Sequence, residues 1–222
     1  MRRVLVTLLA AGLLGACGSG GDEARPVTSE EAQTLAQVRF RNYDAGARVV
    51  AASTEDAQGP VHLDGWVDFV DHVGYASLDQ EGAAPSLLTW DGESAALAPA
   101  AAATAPLPPP AELASAQRSP LDASASAEHA LLLVLLDLGS DRPENPLLLQ
   151  QGGARWLRSD EVQGAPVDVF TATSAGNARY WVDGDGLLRR AEVLVGGEWV
   201  TIDLGDSLDP SRLDALVPAE GS

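Results

Sequence analysis

The sequence predicts an α+β fold, an antiparallel sheet with helices segregated onto one of its faces. Two stretches have helical character: Ala32, Leu35, Ala36, Phe40 and Tyr43 at three- and four-residue spacing, and the unbroken apolar run Leu131–Leu136. Two other regions alternate with period two and are cut by turn residues, one from Ala47 to Ala98 and one from Val167 to Leu204. The order helix, strands, proline-rich link, apolar helix, strands belongs to a sheet with segregated helices, not to alternating β-α units.

The chain opens with Arg2 and Arg3, followed by an apolar run from Val4 to Leu14. A bilayer-spanning helix needs roughly 20 apolar residues, so this shorter run reads as residues of an export signal, 1–16. Leu14–Gly15–Ala16–Cys17 has the form of a bacterial lipobox, and Cys17 is the sole cysteine of the 222 residues. Diacylglyceryl transfer to its sulfur and cleavage before it are expected. Residues 17–26, beginning Gly18–Ser19–Gly20–Gly21, then form a flexible tether to a single domain over 27–217, with a tail at 218–222.

Thr28 and Glu31 make a T-x-x-E capping box at the start of the first helix, and Gly46 closes it. In the next segment Val61, Leu63, Val67 and Phe69 fall on one side of a strand, with His62, Asp64, Trp66 and Asp68 on the other. Gly65 between them marks a bulge or a close backbone approach. Gly74–Leu78 and Ser86–Trp90 are further strands, and Asp91–Gly92 is a type I′ hairpin signal before a return through Ala95–Ala98. Residues 99–111 are rich in proline and alanine. Pro108–Pro109–Pro110 favours polyproline II there, so the stretch links two halves of the domain.

Ser124–Leu138 is expected to be a helix stopped by Gly139, apolar nearly all round and therefore in need of cover on most sides. Periodicity alone also admits a buried strand there; length favours the helix. Four strands are predicted at Val167–Thr173, Ala178–Val182, Leu187–Val195 and Glu198–Leu204, and in the last of them Val200, Ile202 and Leu204 share a face.

Several motifs resemble catalytic or metal-binding ones. Gly205–Asp206–Ser207–Leu208 spells the block of a serine esterase family, but a nucleophilic serine needs a histidine base, and the last histidine, His129, precedes it. A strand end and turn, with Ser207 or Asp209 capping Pro210–Leu216, accounts for the same residues. Asp183-x-Asp185-Gly186 begins like a calcium loop, yet Leu187, Leu188 and Leu194 stand where such a loop needs an oxygen ligand, a glycine and a glutamate. His62, His72 and His129 are scattered without a zinc spacing. No catalytic residue, metal or cofactor is therefore expected.

Charge narrows the partners. The formal charge is −18, and loss of Arg2 and Arg3 with the signal makes the mature chain more acidic still. Nucleic-acid binding needs cations to displace phosphate counterions, and adhesion to anionic lipid needs the same. Neither suits this chain. All 14 basic residues are arginine, as in proteins from GC-rich genomes.

Val162–Val167, a V-x-G-x-P-V strand start, and Trp181–Arg189, a W-x-D-x-x-G-L-x-R hairpin, together with the order of elements from Val27 to Leu204, resemble the LolA/LolB-like superfamily. The likeness is nearest to actinobacterial lipoproteins of the LppX/LprG type. The resemblance implies a curved antiparallel half-barrel sheet with helices packed on its concave face. It also implies a membrane-anchored envelope protein that binds or carries a lipid, glycolipid or other apolar ligand, with a ligand-free scaffold or interaction module as the alternative. Residues expected to line the ligand are Leu63, Val67, Phe69, Leu131, Leu135, Val200, Ile202 and Leu204. The membrane, reached through a diacylglyceryl-Cys17, is the expected partner, and the chain is expected to be a monomer at the extracytoplasmic face.

Overall fold

Twelve antiparallel strands form one open sheet in the computed structural model, which describes residues 23–56, 59–173 and 175–216. The predicted signal, Cys17 and the tail lie outside the described residues. The strands are β1 (Arg25–Pro26), β2 (Ala47–Asp56), β3 (Gly59–Asp68), β4 (Val73–Gln80), β5 (Ser86–Trp90), β6 (Ser94–Pro99), β7 (Arg118–Pro120), β8 (Arg155–Val162), β9 (Ala165–Thr171), β10 (Ala178–Asp183), β11 (Leu188–Val195) and β12 (Glu198–Leu208). Their spatial order is β1-β8-β9-β10-β11-β12-β2-β3-β4-β5-β6-β7. The two meanders predicted from the sequence therefore join along β12 and β2, and β1 and β7 close the two edges. The sheet is a curved half-barrel rather than a closed barrel.

Helices α1 (Ser29–Asp44), α3 (Ala127–Asp137) and α4 (Pro146–Gln151) share the principal core with the sheet, and the one-turn α2 (Ala111–Ala114) packs elsewhere. The capping box is present as predicted: Glu31 N–H donates to Thr28 Oγ1, and Thr28 N–H donates to the Glu31 carboxylate. Gly46 follows the helix at φ +70°, a left-handed conformation that glycine takes without a Cβ penalty. The buried stripe of α1 is rotated from the predicted one. Val38 and Asn42 are buried, whereas Phe40 and Tyr43 are only half-buried. Asn42 causes the rotation, because its amide turns inward to donate to the Leu138 carbonyl.

Helix α3 begins three residues later than predicted. Ser126 caps it by accepting from His129 N–H, while Ser124 is held in a turn by Asp122. Gly65 proves to be a close backbone approach and not a bulge. Register through β3 is continuous on both sides, and a Cβ at 65 would overlap the Tyr75 carbonyl oxygen. The Asp91–Gly92 hairpin forms without a type I′ turn: Asp91 closes it by accepting from Glu93 and Ser94 N–H, and Gly92 keeps a negative φ.

Residues 99–111 do more than connect. They cover the convex face of β4–β6, where Ala105 and Leu113 bury with Tyr75 and Leu87, and Tyr75 Oη donates to the Pro106 carbonyl. Leu213, between two short 3-10 turns at Pro210–Arg212 and Asp214–Leu216, and Leu216, at the end of the second, complete this second cluster. A third lies under β8–β10, where Trp181 packs on Val162, Val167 and Val169.

Candidate functional site

The concave face is built by alternation. On β3 every second side chain from Val61 to Phe69 turns inward, and on β12 Val200, Ile202 and Leu204 do the same. Strand β2 lies between these two and adds Val50 and Ala52, so three adjacent strands present one apolar stripe. Helix α3 lies over it with Leu131, Leu132, Leu135 and Leu136 buried. The structure therefore brings all eight predicted lining residues, Leu63, Val67, Phe69, Leu131, Leu135, Val200, Ile202 and Leu204, into a single cluster. Each is at most 2% exposed. They belong to one continuous buried core.

Space opens at one end of this cluster. A groove of about 470 Å3 lies where the C-terminal turn of α3 meets α1 and the tips of two hairpins. Leu133 and Leu136 of α3, Tyr43 of α1 and Val70 of the β3–β4 turn give it an apolar lining. Arg39, His72, Asp137 and Asp141 give it a polar rim. Ligand sites of small molecules typically occupy roughly 300–1,000 Å3, so the groove has room for a segment of acyl chain. Among its apolar lining residues, Leu133 and Leu136 were marked by the all-round apolarity of their run and Tyr43 by the helical spacing of α1, whereas Val70 had no signal.

The walls of the groove are fixed by specific contacts. Trp90 Nε1 donates to the Leu132 carbonyl at 3.0 Å, tying α3 to β5, and the Trp90 ring occupies the space that a side chain at Gly74 would need. Gly139 serves Phe69 in the same way, since a Cβ there would lie 2.6 Å from Phe69 Cδ1. Arg39 Nη2 donates to the Asp137 carboxylate at 2.6 Å and its Nε to the Asp137 carbonyl at 2.7 Å, which holds the end of α3 against α1.

Beneath these lies Arg48, which is 1% exposed and, among the described residues, has no carboxylate bonded to it. Its guanidinium donates to Asn42 Oδ1 at 2.7 Å, to the Leu188 carbonyl at 2.9 Å and to the Gly205 carbonyl at 2.8 Å. Burial first, then the nearby Arg189, push its pKa down to about 10, while Asp183 and Asp206 oppose the fall. It stays charged at neutral pH and links β2, α1, β11 and the irregular step in β12 between Leu204 and Ser207. Among the described residues every buried side-chain nitrogen and oxygen has a partner.

The motifs that resembled catalytic or metal sites have structural occupations. Strand β12 continues through the Gly205–Leu208 block instead of ending before it; Ser207 is exposed in register with Arg48, and Asp209, not Ser207, caps the following turn. His62 bonds Ser53 Oγ at 2.8 Å, His72 Nδ1 lies 3.3 Å from the Val70 carbonyl, and His129 accepts from Asp122 N–H. The Asp183 carboxylate accepts from Asp185 and Leu187 N–H and from Arg189 Nε, as a hairpin turn requires.

No protein-family model matches the chain, and no curated protein does. Solved structures show a similar arrangement of sheet and helices. The lipoprotein LppX of Mycobacterium tuberculosis is 12% identical, with a TM-score of 0.43 over 79% of this chain and 94% of that one. The MucA/MucB complex of Pseudomonas aeruginosa is 15% identical, with a TM-score of 0.38 over 80% of this chain and 55% of that one. A DUF1329 family protein from Desulfovibrio piger is 12% identical, with a TM-score of 0.24 over 82% of this chain and 95% of that one. These likenesses concern the path of the chain. Among the described residues no helix is long and apolar enough to cross a membrane.

Proposed function

We propose that the mature chain is a cell-envelope lipoprotein, tethered through Cys17, that binds the acyl chain of a lipid or glycolipid at the groove beside α3. The observation that carries this reading is the helix itself. Leu132 and Leu135 face the sheet while Leu133 and Leu136 line the groove, so an acyl chain in the groove lies on apolar surface continuous with the core. Each CH2 buried there contributes about 0.8 kcal/mol. The family resemblance in Val162–Val167 and Trp181–Arg189 points the same way.

A second reading, a ligand-free scaffold or interaction module, is favoured by the burial of all eight predicted lining residues within one core. One experiment separates the two. The protein purified from membrane-containing cells is analysed by native mass spectrometry and organic extraction, beside its Leu133→Trp variant. Wild type is expected to carry lipid or to bind an added fluorescent fatty acid. Leu133→Trp, which fills the groove from a half-buried position, is expected to lose it with little change in unfolding midpoint. Absence of ligand from both, and no binding of added fatty acid, overturns the carrier reading in favour of the scaffold.

A further inference from the structure

An acyl chain in the groove leaves its polar head at the rim, and the charge of that rim decides which heads fit. Among the described residues that line the groove, Arg39 is the one guanidinium, and its donors are spent. Nη2 donates to the Asp137 carboxylate at 2.6 Å and Nε to the Asp137 carbonyl at 2.7 Å, while Nη1 faces the Glu144 carboxylate at 3.6 Å. A guanidinium held between two carboxylates has no fork left for the phosphate or carboxylate of a ligand. The buried Arg48 donates to Asn42 and to backbone carbonyls, and it does not line the groove.

Carboxylates dominate the rest of the rim. Asp137 ends α3, where the helix dipole already concentrates negative charge, and the last turn of α3 carries no basic residue. Its side chain is 77% exposed, so a ligand head can reach it. Asp141 is 62% exposed, and its ion pair is with the neighbouring Arg142, which stands outside the groove lining. At the β3–β4 turn, the lining residues Val70 and His72 flank Asp71. Burial first, then the Asp68 and Asp214 carboxylates, push the Asp71 carboxyl above its ordinary value, while His72 opposes the rise. Both the α3 side and the hairpin side of the mouth are therefore negative.

Such a mouth repels an anionic head and attracts a cationic one. An uncharged hydroxyl gains hydrogen bonds from the same carboxylates without the charge. We infer that the groove takes a lipid whose head is a protonated amine, with its acyl chain on Leu133 and Leu136 and its head among the Asp137 and Asp141 carboxylates. This rests on the carrier reading above and names its ligand class. The rim pair is open to water, so it selects among lipids of equal chain length, and the acyl chain supplies the affinity.

The test uses the full acylated protein in non-ionic detergent. It is incubated with an equimolar mixture of dodecylamine, dodecanol and dodecanoate, passed through a desalting column, extracted, and the retained amphiphiles are quantified by mass spectrometry. Retention by Leu133→Trp, whose groove is filled, is the blank. At low salt the amine is expected to exceed the carboxylate by about tenfold, with the alcohol between them. The ratio is expected to fall at high salt. Asp141→Lys is expected to cut the ratio to about threefold or less, and Glu112→Lys, the same charge change on the exposed α2, to leave it unchanged. Equal retention of the three, a lead by the alcohol or the carboxylate, or a Glu112→Lys effect as large as that of Asp141→Lys overturns the head selection and spares the carrier reading. No retention of any of the three above the blank overturns both.

Discussion

Arg48 shows how a single side chain sets the geometry of the groove. A buried cation without a carboxylate is held by carbonyl oxygens from β11 and β12 and by Asn42, which also holds Leu138 at the end of α3. Removing it leaves Asn42 and the Leu188 and Gly205 carbonyls buried without a donor, each costing roughly 1–3 kcal/mol. Arg48→Met is therefore expected to lower stability by about 3–5 kcal/mol, read from urea unfolding; a loss below 1 kcal/mol would show that water replaces the guanidinium. A second residue, Glu31, makes stability depend on pH. The bidentate hydrogen bond from Arg25 holds its pKa down at about 2, against an ordinary 4.5, with help from Thr28. A depressed carboxylate pKa stabilises the fold above the unfolded value and loses that contribution as pH falls from 4.5 through about 2. Because the pair is partly open to water, screening limits the effect to about 1 kcal/mol. Glu31→Gln is expected to remove that part of the acid dependence of the urea midpoint and to leave the rest; an unchanged profile would place the acid sensitivity elsewhere.

At the scale of elements, what was legible in the sequence was what local chemistry writes. Thr28 and Glu31 wrote the start of α1, and the alternation from Val61 to Phe69 wrote β3. The run Leu131–Leu136 wrote α3 against its strand alternative through the length of the segment that contains it. Elements fixed by distant partners left no such mark. Strand β8 alternates weakly, with Arg155, Arg158, Ser159, Asp160 and Glu161 exposed, and exists because β9 and β1 pair with it. Helix α4 has one buried leucine in six residues, too few to set a period. The buried stripe of α1 rotated for the same reason, since only the fold brings Leu138 and Arg48 to Asn42. The candidate site divides likewise. Leu63, Val67, Phe69, Val200, Ile202 and Leu204 share the sheet face, which alternation could show, but whether they enclose a cavity with Leu131 and Leu135 depends on how closely α3 approaches the sheet. Trp90 and Phe69, seated over Gly74 and Gly139, set that approach, and neither contact is local.

For the whole molecule, the proposed function asks what would keep at a membrane an acidic domain that has no spanning helix among its described residues. Electrostatics opposes it: a formal charge of −18 before processing is repelled by anionic lipid. On the proposed lipoprotein reading, attachment comes from the acyl chains on Cys17, each buried CH2 contributing about 0.8 kcal/mol, with two chains enough for a stable anchor. Cys17→Ser is expected to give a chain that fractionates away from membranes and washes free without detergent. Because an apolar contact resists salt and an electrostatic one does not, the wash is done both at low and at high salt. Wild type is expected to stay in the membrane fraction under both conditions and to leave it only with detergent. If Cys17→Ser remains in the pellet through high salt, the acyl anchor is not what holds the protein, and the lipoprotein reading loses its basis.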